Sequence, residues 1–306
     1  MSGRITINLN VLSLDRRFGF DAYVDKLQAI EQAGLDGVVM PDHVVFGTNV
    51  QYPWGGWQID PADSWPEPLS VLSAAAGATR RVALVTNVLI APLRPAPLLA
   101  KQVATLHGLS RGRFELGVGA GWQRAEYDAS GIPFAARSEI LFDQMRACRV
   151  LWRDRPASFH SSHVTFDDIW CCPTVADEPT GRALKLWFGV APTNANVRLF
   201  EEFPAAGWSC IDPDPAVIAR GRVHLESALS AAGAPRRLRV RAAPPLAFTA
   251  EGSLDVPATI ANLPASVRAG VTEFDFPLLF VEHAPRAFDA LLESLAGIER
   301  SIDHYA

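Results

Sequence analysis

Four cysteines in 306 residues, Cys148, Cys171, Cys172 and Cys210, show no CxxC spacing. That removes a dithiol redox centre and a zinc ribbon from consideration, and the adjacent Cys171 and Cys172 read as packed thiols rather than ligands. Charge is also scarce, at 20% of residues with a net of −5, and the basic runs RRVALV and PRRLRVR are short and interrupted. Without a basic stripe to neutralise phosphates, a nucleic-acid partner is not expected. No apolar run reaches the roughly 18 residues of a membrane span, and the first residues hold no apolar h-region. Neither membrane insertion nor secretion is expected, and the chain reads as cytoplasmic. Linkers, repeats and low-complexity tracts are missing too, so residues 1–306 read as one domain. No HxH marks the first strand and no carboxylates cluster at strand ends, which argues against a metallohydrolase barrel and predicts no metal.

What the chain has is core and rhythm. Hydrophobic residues make up 49% of it, enough for a large interior. Strand-like and helix-like segments alternate: ITINLNVL then FDAYVDKLQAIEQAG, LDGVVM then EPLSVLSAAAGAT, RVALVTNVLIAP then PAPLLAKQVATLHGLS, and RFELGVG then an amphipathic helix over 136–153. Residues 157–180 break the rhythm and read as an inserted hairpin. The alternation resumes with ALKLWFGV, NANVRLFEEF, GWSCI, PAVIARGRVHLESALSAAG, RLRVRAAPPLAFT, a helix near 256–269, TEFDFPLLF and a last helix from Pro285. Regular βα alternation implies parallel strands, and eight units predict a closed (β/α)8 TIM barrel, an α/β fold.

A barrel of this kind places its site at the carboxyl ends of the strands. Those ends carry Asn10, the pair Asp42–His43, Thr86–Asn87–Val88, and Gly189–Val190–Ala191. The fourth strand ends in the run GRFELGVGAGWQ, with glycines at 117, 119 and 121. Alternating glycines let a backbone turn at positive φ and let a flat ligand approach the main chain. The run is not a dinucleotide fingerprint, because Trp122 stands where the third glycine belongs and three strand–helix units precede it. Few polar groups among many apolar ones suit a large planar ligand better than a metal. The loop from about 47 to 66 adds Tyr52, Trp54 and Trp57, which read either as walls of an aromatic substrate pocket or as a subunit contact.

The segments PDHVVFG, WPEPLSVLSAAAGAT, the long run from RVALVTNVLIAP through GVGAGWQRAEYDASGIPFAARSEILFDQM, and LWFGVAPTNANVRL resemble the luciferase-like flavin and deazaflavin oxidoreductases. The likeness is strongest to the branch that uses the 5-deazaflavin coenzyme F420. It covers most of residues 35–200; beyond them only the barrel rhythm supports it. The resemblance implies a barrel with a hairpin insertion, commonly a homodimer, and a tricyclic ring over the barrel mouth. It assigns Asp42 to cofactor contact and His43 to the reacting ring atom, where an imidazole with a pKa of about 6.5 can pass a proton. It places a non-proline cis peptide between Asn87 and Val88, backing the ring, with Gly121 and Trp122 alongside. Phosphate is expected on Gly189, Val190 and Ala191 and at the start of the following helix, near Thr193 and Asn194, where unpaired N–H groups and the helix dipole favour an anion. Arg137 and Glu139 match patterned positions and read as ion-pair or capping residues. The other histidines, at 107, 160, 163, 224, 283 and 304, read as structural or exposed.

One departure narrows the chemistry. In sugar-phosphate dehydrogenases of that family a glutamate acid follows the glycine ladder, and here that position is Trp122. The expectation is hydride transfer between coenzyme F420 and an unidentified small organic substrate. An FMN-dependent monooxygenase is the alternative, and a silent flavin-binding barrel a further one.

Overall fold

The computed structural model describes residues 3–48, 50, 52–53, 60–284 and 286–305. In chain order it runs β1 (Thr6–Asn10), α1 (Leu14–Phe18), α2 (Tyr23–Gln32), β2 (Gly37–Met40), α3 (Pro68–Ala78), β3 (Ala83–Ile90), α4 (Ala96–Leu109), β4 (Phe114–Gly119), α5 (Arg124–Ala129) and α6 (Arg137–Arg153). The hairpin β5 (Ala157–His160) and β6 (Thr165–Ile169) follows. Then come β7 (Lys185–Phe188), α7 (Asn194–Glu202), β8 (Gly207–Cys210), α8 (Pro215–Ala231), β9 (Val240–Ala242), α9 (Val256–Ala261), α10 (Leu263–Ala269), β10 (Val271–Pro277) and α11 (Ala287–Ala296).

Eight of these strands close in the order β1-β10-β9-β8-β7-β4-β3-β2, every pair parallel, with at least one helix between consecutive barrel strands. This is the (β/α)8 barrel that the alternation predicts. Because helices cover the outside of a parallel sheet, its strands are buried on both faces. Every residue of β2, β4 and β8 is accordingly buried. The predicted hairpin is present as a separate two-stranded antiparallel sheet between α6 and β7.

Four elements differ from expectation, the first being the short α1, which the alternation does not show. The helix expected over 256–269 is two helices, because Pro264 in the first turn of α10 has no N–H to continue α9. The strand expected in RLRVRAAPPLAFT is only three residues long, cut short before Pro244 and Pro245. The six-residue α5 was not expected at all, since one and a half turns give no readable periodicity. Of the last helix, Ala287 onward is described; Pro285 lies outside the described residues.

The barrel interior is polar. Arg241 on β9 is 1% exposed and reaches across to Glu115 on β4 (3.1 Å) and to Asp275 on β10 (2.7 Å). Glu115 also accepts from Lys185 (2.7 Å) and from the Trp187 indole N–H (2.8 Å), both on β7. Burial pushes the Glu115 carboxyl up, but Arg241 and then Lys185 outweigh it and hold it below the ordinary carboxylate range. Asp275 and Glu273 are pushed up by burial, which the attraction of Arg241 does not fully offset. Apolar packing is instead concentrated between the sheet and the helix layer, where Leu99, Val103, Met145, Leu151 and Leu225 are almost fully buried.

Candidate active site

The mouth of the barrel is built first by fastening the ends of β2 and β3 together. Asp42, two residues past β2, accepts the backbone N–H of Ile90 at the end of β3 (2.8 Å). Its two oxygens also take a forked pair of bonds from Arg94 (2.6 and 3.2 Å), which in turn reaches Glu67 (3.0 Å). A bidentate guanidinium–carboxylate pair fixes orientation as well as distance. With both oxygens occupied and the residue 4% exposed, Asp42 holds the loop in shape.

His43 points elsewhere. Its Nδ1 lies 3.0 Å from Oε2 of Glu126, while Oε1 of the same carboxylate accepts the backbone N–H of Val44 (2.8 Å). Glu126 is on α5 and is completely buried. A carboxylate only accepts, so it selects the His43 tautomer with hydrogen on Nδ1. Nε2 is left with no protein partner among the described residues. Gln123, one turn earlier, adds two clamps on the same loop: its amide oxygen accepts from Gly47 N–H and its NH2 donates to the Val45 carbonyl (3.0 Å). The imidazole is enclosed by Phe46, Trp65 and Trp122, with ring centres 4.5, 4.7 and 5.4 Å away. Tyr52 stands edge-on to Trp122 at 5.9 Å, and burial pushes its phenol up. His43, Trp122 and Tyr52 are therefore brought together; Trp54 and Trp57 lie outside the described residues.

The glycine ladder has a structural reason that its sequence reading understated. The Asn87–Val88 peptide is cis, and the β3–β4 register slips between Thr86 and Leu89. Gly117 is packed against the Thr86 carbonyl, leaving no space for a Cβ. A Cβ on Gly119 would meet Val88 Cγ2 at 2.8 Å, and one on Gly189 would meet Val88 Cγ1 at 2.6 Å. These glycines make room for the bulge of β3. Of the three in the ladder only Gly121 has positive φ, at +63°, lying against Ile90. The Asn87 side chain turns into the barrel, not toward the mouth, bonding Asp275 (2.8 Å) and Ser209 (2.7 Å).

Across the mouth, Gly189 N–H is spent on the Val118 carbonyl (2.9 Å), while the Val190 carbonyl accepts from the Trp208 indole (2.9 Å). The N–H groups of Val190 and Ala191 reach no protein acceptor among the described residues. Thr193 precedes α7 without a side-chain cap; Asn196 N–H bonds the Thr193 carbonyl (3.0 Å), while the N–H groups of Asn194 and Ala195 reach no protein acceptor among the described residues. Glu139 pairs with Arg198 (2.7 Å), while Arg137 donates to the Phe134 carbonyl (3.1 Å) and lies over that ring. Three other histidines bond within the protein: His107 to the Arg182 carbonyl, His160 to Asp167 and His163 to Asp143.

Glu126 and Gln123 were missed by sequence reasoning, as were Phe46 and Trp65. Position 122 is tryptophan, and one helical turn later Glu126 brings a carboxylate to His43. The readable signal was the spacing of Gln123 and Glu126, three apart and on one face of any helix that starts there.

The closed parallel barrel thus carries at one mouth a buried histidine–carboxylate pair and a bulge of β3 with a cis peptide bond. The luciferase-like monooxygenase family matches residues 7–270, and the chain belongs to that family. It is 34% identical over 143 residues to an uncharacterized protein of Mycobacterium tuberculosis, covering 46% of this chain and 49% of that one. It is 30% identical over 121 residues to an FMNH2-dependent dimethylsulfone monooxygenase of Pseudomonas putida, covering 39% and 33%. The chain thus spans about half the length of the first curated relatives it matches, or less. In fold it is similar to the coenzyme F420 dependent tetrahydromethanopterin reductase of Methanopyrus kandleri, with a TM-score of 0.72, 14% identity, and coverage of 99% and 100%. Among the described residues, no helix is long and apolar enough to cross a membrane.

Proposed function

We propose that the chain is an oxidoreductase that moves a hydride between a 5-deazaflavin, coenzyme F420, and a small organic substrate bound against the ring. The observation that carries this reading is the His43–Glu126 pair, enclosed by Phe46, Trp65 and Trp122, with Nε2 left without a protein partner among the described residues. The residues present fit a tricyclic phosphate-bearing cofactor. Val88, half-buried with its methyl groups against Gly119 and Gly189, offers a backing surface, and the N–H groups of Val190, Ala191, Asn194 and Ala195, without a protein acceptor among the described residues, suit a phosphate. When bound, the cofactor supplies the hydride chemistry.

The chain's own residues do the rest. Glu126 keeps the Nδ1 hydrogen in place and stabilises the imidazolium by its charge; His43 then holds or releases a proton at Nε2, toward the reacting substrate atom. Phe46, Trp65 and Trp122 exclude water from that proton, and Tyr52 extends the aromatic wall toward the substrate. Asp42 and Gly121 serve this site by shaping the strand ends. A homodimer in the cytoplasm, acting on small molecules alone, belongs to the same reading.

The likeness to an FMNH2-dependent monooxygenase favours a second reading, FMN as the cofactor. Titrating both cofactors by fluorescence quenching separates the two. Deazaflavin binding at micromolar affinity or better, with FMN much weaker, is expected; tight FMN without a deazaflavin response overturns the first reading in favour of the monooxygenase.

A further inference from the structure

The side chain of Asn87, the residue before the cis bond, is held from two directions across the barrel. Its Nδ2 donates to Oδ2 of Asp275 on β10 (2.8 Å), and its Oδ1 accepts the hydroxyl of Ser209 on β8 (2.7 Å). Neither β8 nor β10 neighbours β3 in the closed order, so both bonds run through the interior. The amide has no freedom to flip, because the donor end faces a carboxylate and the acceptor end a hydroxyl. Asp275 is itself fixed: its Oδ1 accepts from Asn8 Nδ2 (3.0 Å) and from Arg241 (2.7 Å), and Arg241 is anchored on Glu115. Asp275 is 5% exposed and Arg241 1%.

Such a set of buried charges is a weak source of stability, since desolvation offsets much of their attraction, and branched apolar residues usually fill a barrel interior. What it supplies is geometry. In the chain Ser209–Asn87–Asp275–Arg241, two bonds hold the residue whose peptide leads to Val88, packed against Gly119 and Gly189, and the third holds Asp275.

We propose that Asp275 and Ser209 are positioning residues for the cofactor, acting through the Asn87 amide to set the floor on which the ring lies. This rests on the functional reading above. It assigns a role to a polar core that neither the proton pair nor the phosphate seat uses.

The test is a mutant cycle on the full chain, read by cofactor affinity, with whichever of deazaflavin or FMN the wild-type protein binds. Asp275→Asn keeps the shape of the side chain but removes its charge, and should weaken affinity about tenfold, the weight of one charge-assisted hydrogen bond. Asn87→Ala should do the same. If Asp275 acts through Asn87, the double variant binds no worse than Asn87→Ala alone. A merely structural carboxylate would give multiplied effects. Ser209→Ala leaves every charge in place, guards against misfolding of Asp275→Asn, and should weaken affinity a few-fold. The bound cofactor's absorption maximum should shift in all three variants. Unchanged affinity in Ser209→Ala, or multiplied effects in the cycle, overturns the positioning role and leaves the functional reading standing. Wild-type protein that binds neither cofactor overturns both.

Discussion

The β2–β4 side of the mouth is built from side chains: His43 on Glu126, Asp42 on Arg94, Gln123 across the loop, and three aromatic rings around the imidazole. The β7–α7 side offers main chain instead, with glycine at the strand end and N–H groups of Val190 and Ala191 that reach no protein acceptor among the described residues. Side chains can titrate and so can move protons; backbone donors cannot, but they hold a fixed geometry and carry no protonation cost. Under the proposed function the two halves divide the work into proton handling and anchoring. Kinetics should separate what a turnover variant loses from what a binding variant loses.

The largest separation is expected at His43. His43→Ala should lower turnover about 10²–10⁴-fold while cofactor affinity stays within a few-fold, read from kcat and a binding titration on the same preparation. A large loss of affinity with intact turnover would dissolve the division of labour. Glu126→Gln sharpens it, because the amide keeps the volume but removes the charge and the acceptor-only character that selects the tautomer. Turnover should fall at least about tenfold, again with affinity nearly unchanged. On the opposite side the pattern should invert. Gly189→Ala places a methyl 2.6 Å from Val88 Cγ1, so cofactor affinity should drop several-fold at a stability loss of about 1–3 kcal/mol. Saturating cofactor should restore most of kcat. Equal damage to kcat in Gly189→Ala and His43→Ala would show that the halves are not separable.

The smallest effect concerns the support beneath the side-chain half. Glu67 caps α3 by accepting Ser70 N–H (2.7 Å) and also receives Arg94. Burial pushes its carboxyl up, yet those bonds outweigh it and hold the group below its ordinary value of 4.5. A depressed carboxyl adds stability that is complete above that value and disappears as pH falls through the folded-state value. Glu67→Gln should therefore flatten the acid limb of the melting curve below about pH 4.5. It should change stability at neutral pH by less than about 1 kcal/mol, because the side chain is 43% exposed.

How much of this was legible follows from the range of each interaction. The barrel was, because βα alternation is a local pattern repeated eight times. His43 and the glycine ladder were, because strand ends are where such a barrel gathers its site. Glu126 was not: it lies 83 residues from His43 in sequence, and no local rule tells a buried carboxylate from an exposed one on a helix of six residues. The polar interior left a trace that was overlooked. Glu273 and Asp275 alternate with Phe274 and Phe276 in TEFDF, and Thr6, Asn8 and Asn10 alternate in TINLN. Closure turns Asn8, Glu273 and Asp275 of these runs into the interior, where Asn8 bonds Asp275 and Arg241 pairs with Asp275 and Glu273.

By itself, then, the sequence determined the eightfold alternation, the hairpin insertion and the strand ends that face the mouth, since all three depend on periodicity and on residues near one another in the chain. Only the tertiary structure decided which oxygen serves which nitrogen. Closing the barrel brings β3 opposite β8 and β10, turns Asn87 inward to Ser209 and Asp275, and swings α5 beneath the β2 loop so that Glu126 meets His43. Those pairings are properties of closure, because each joins elements that meet only when the last strand returns to the first or a loop folds back over the mouth.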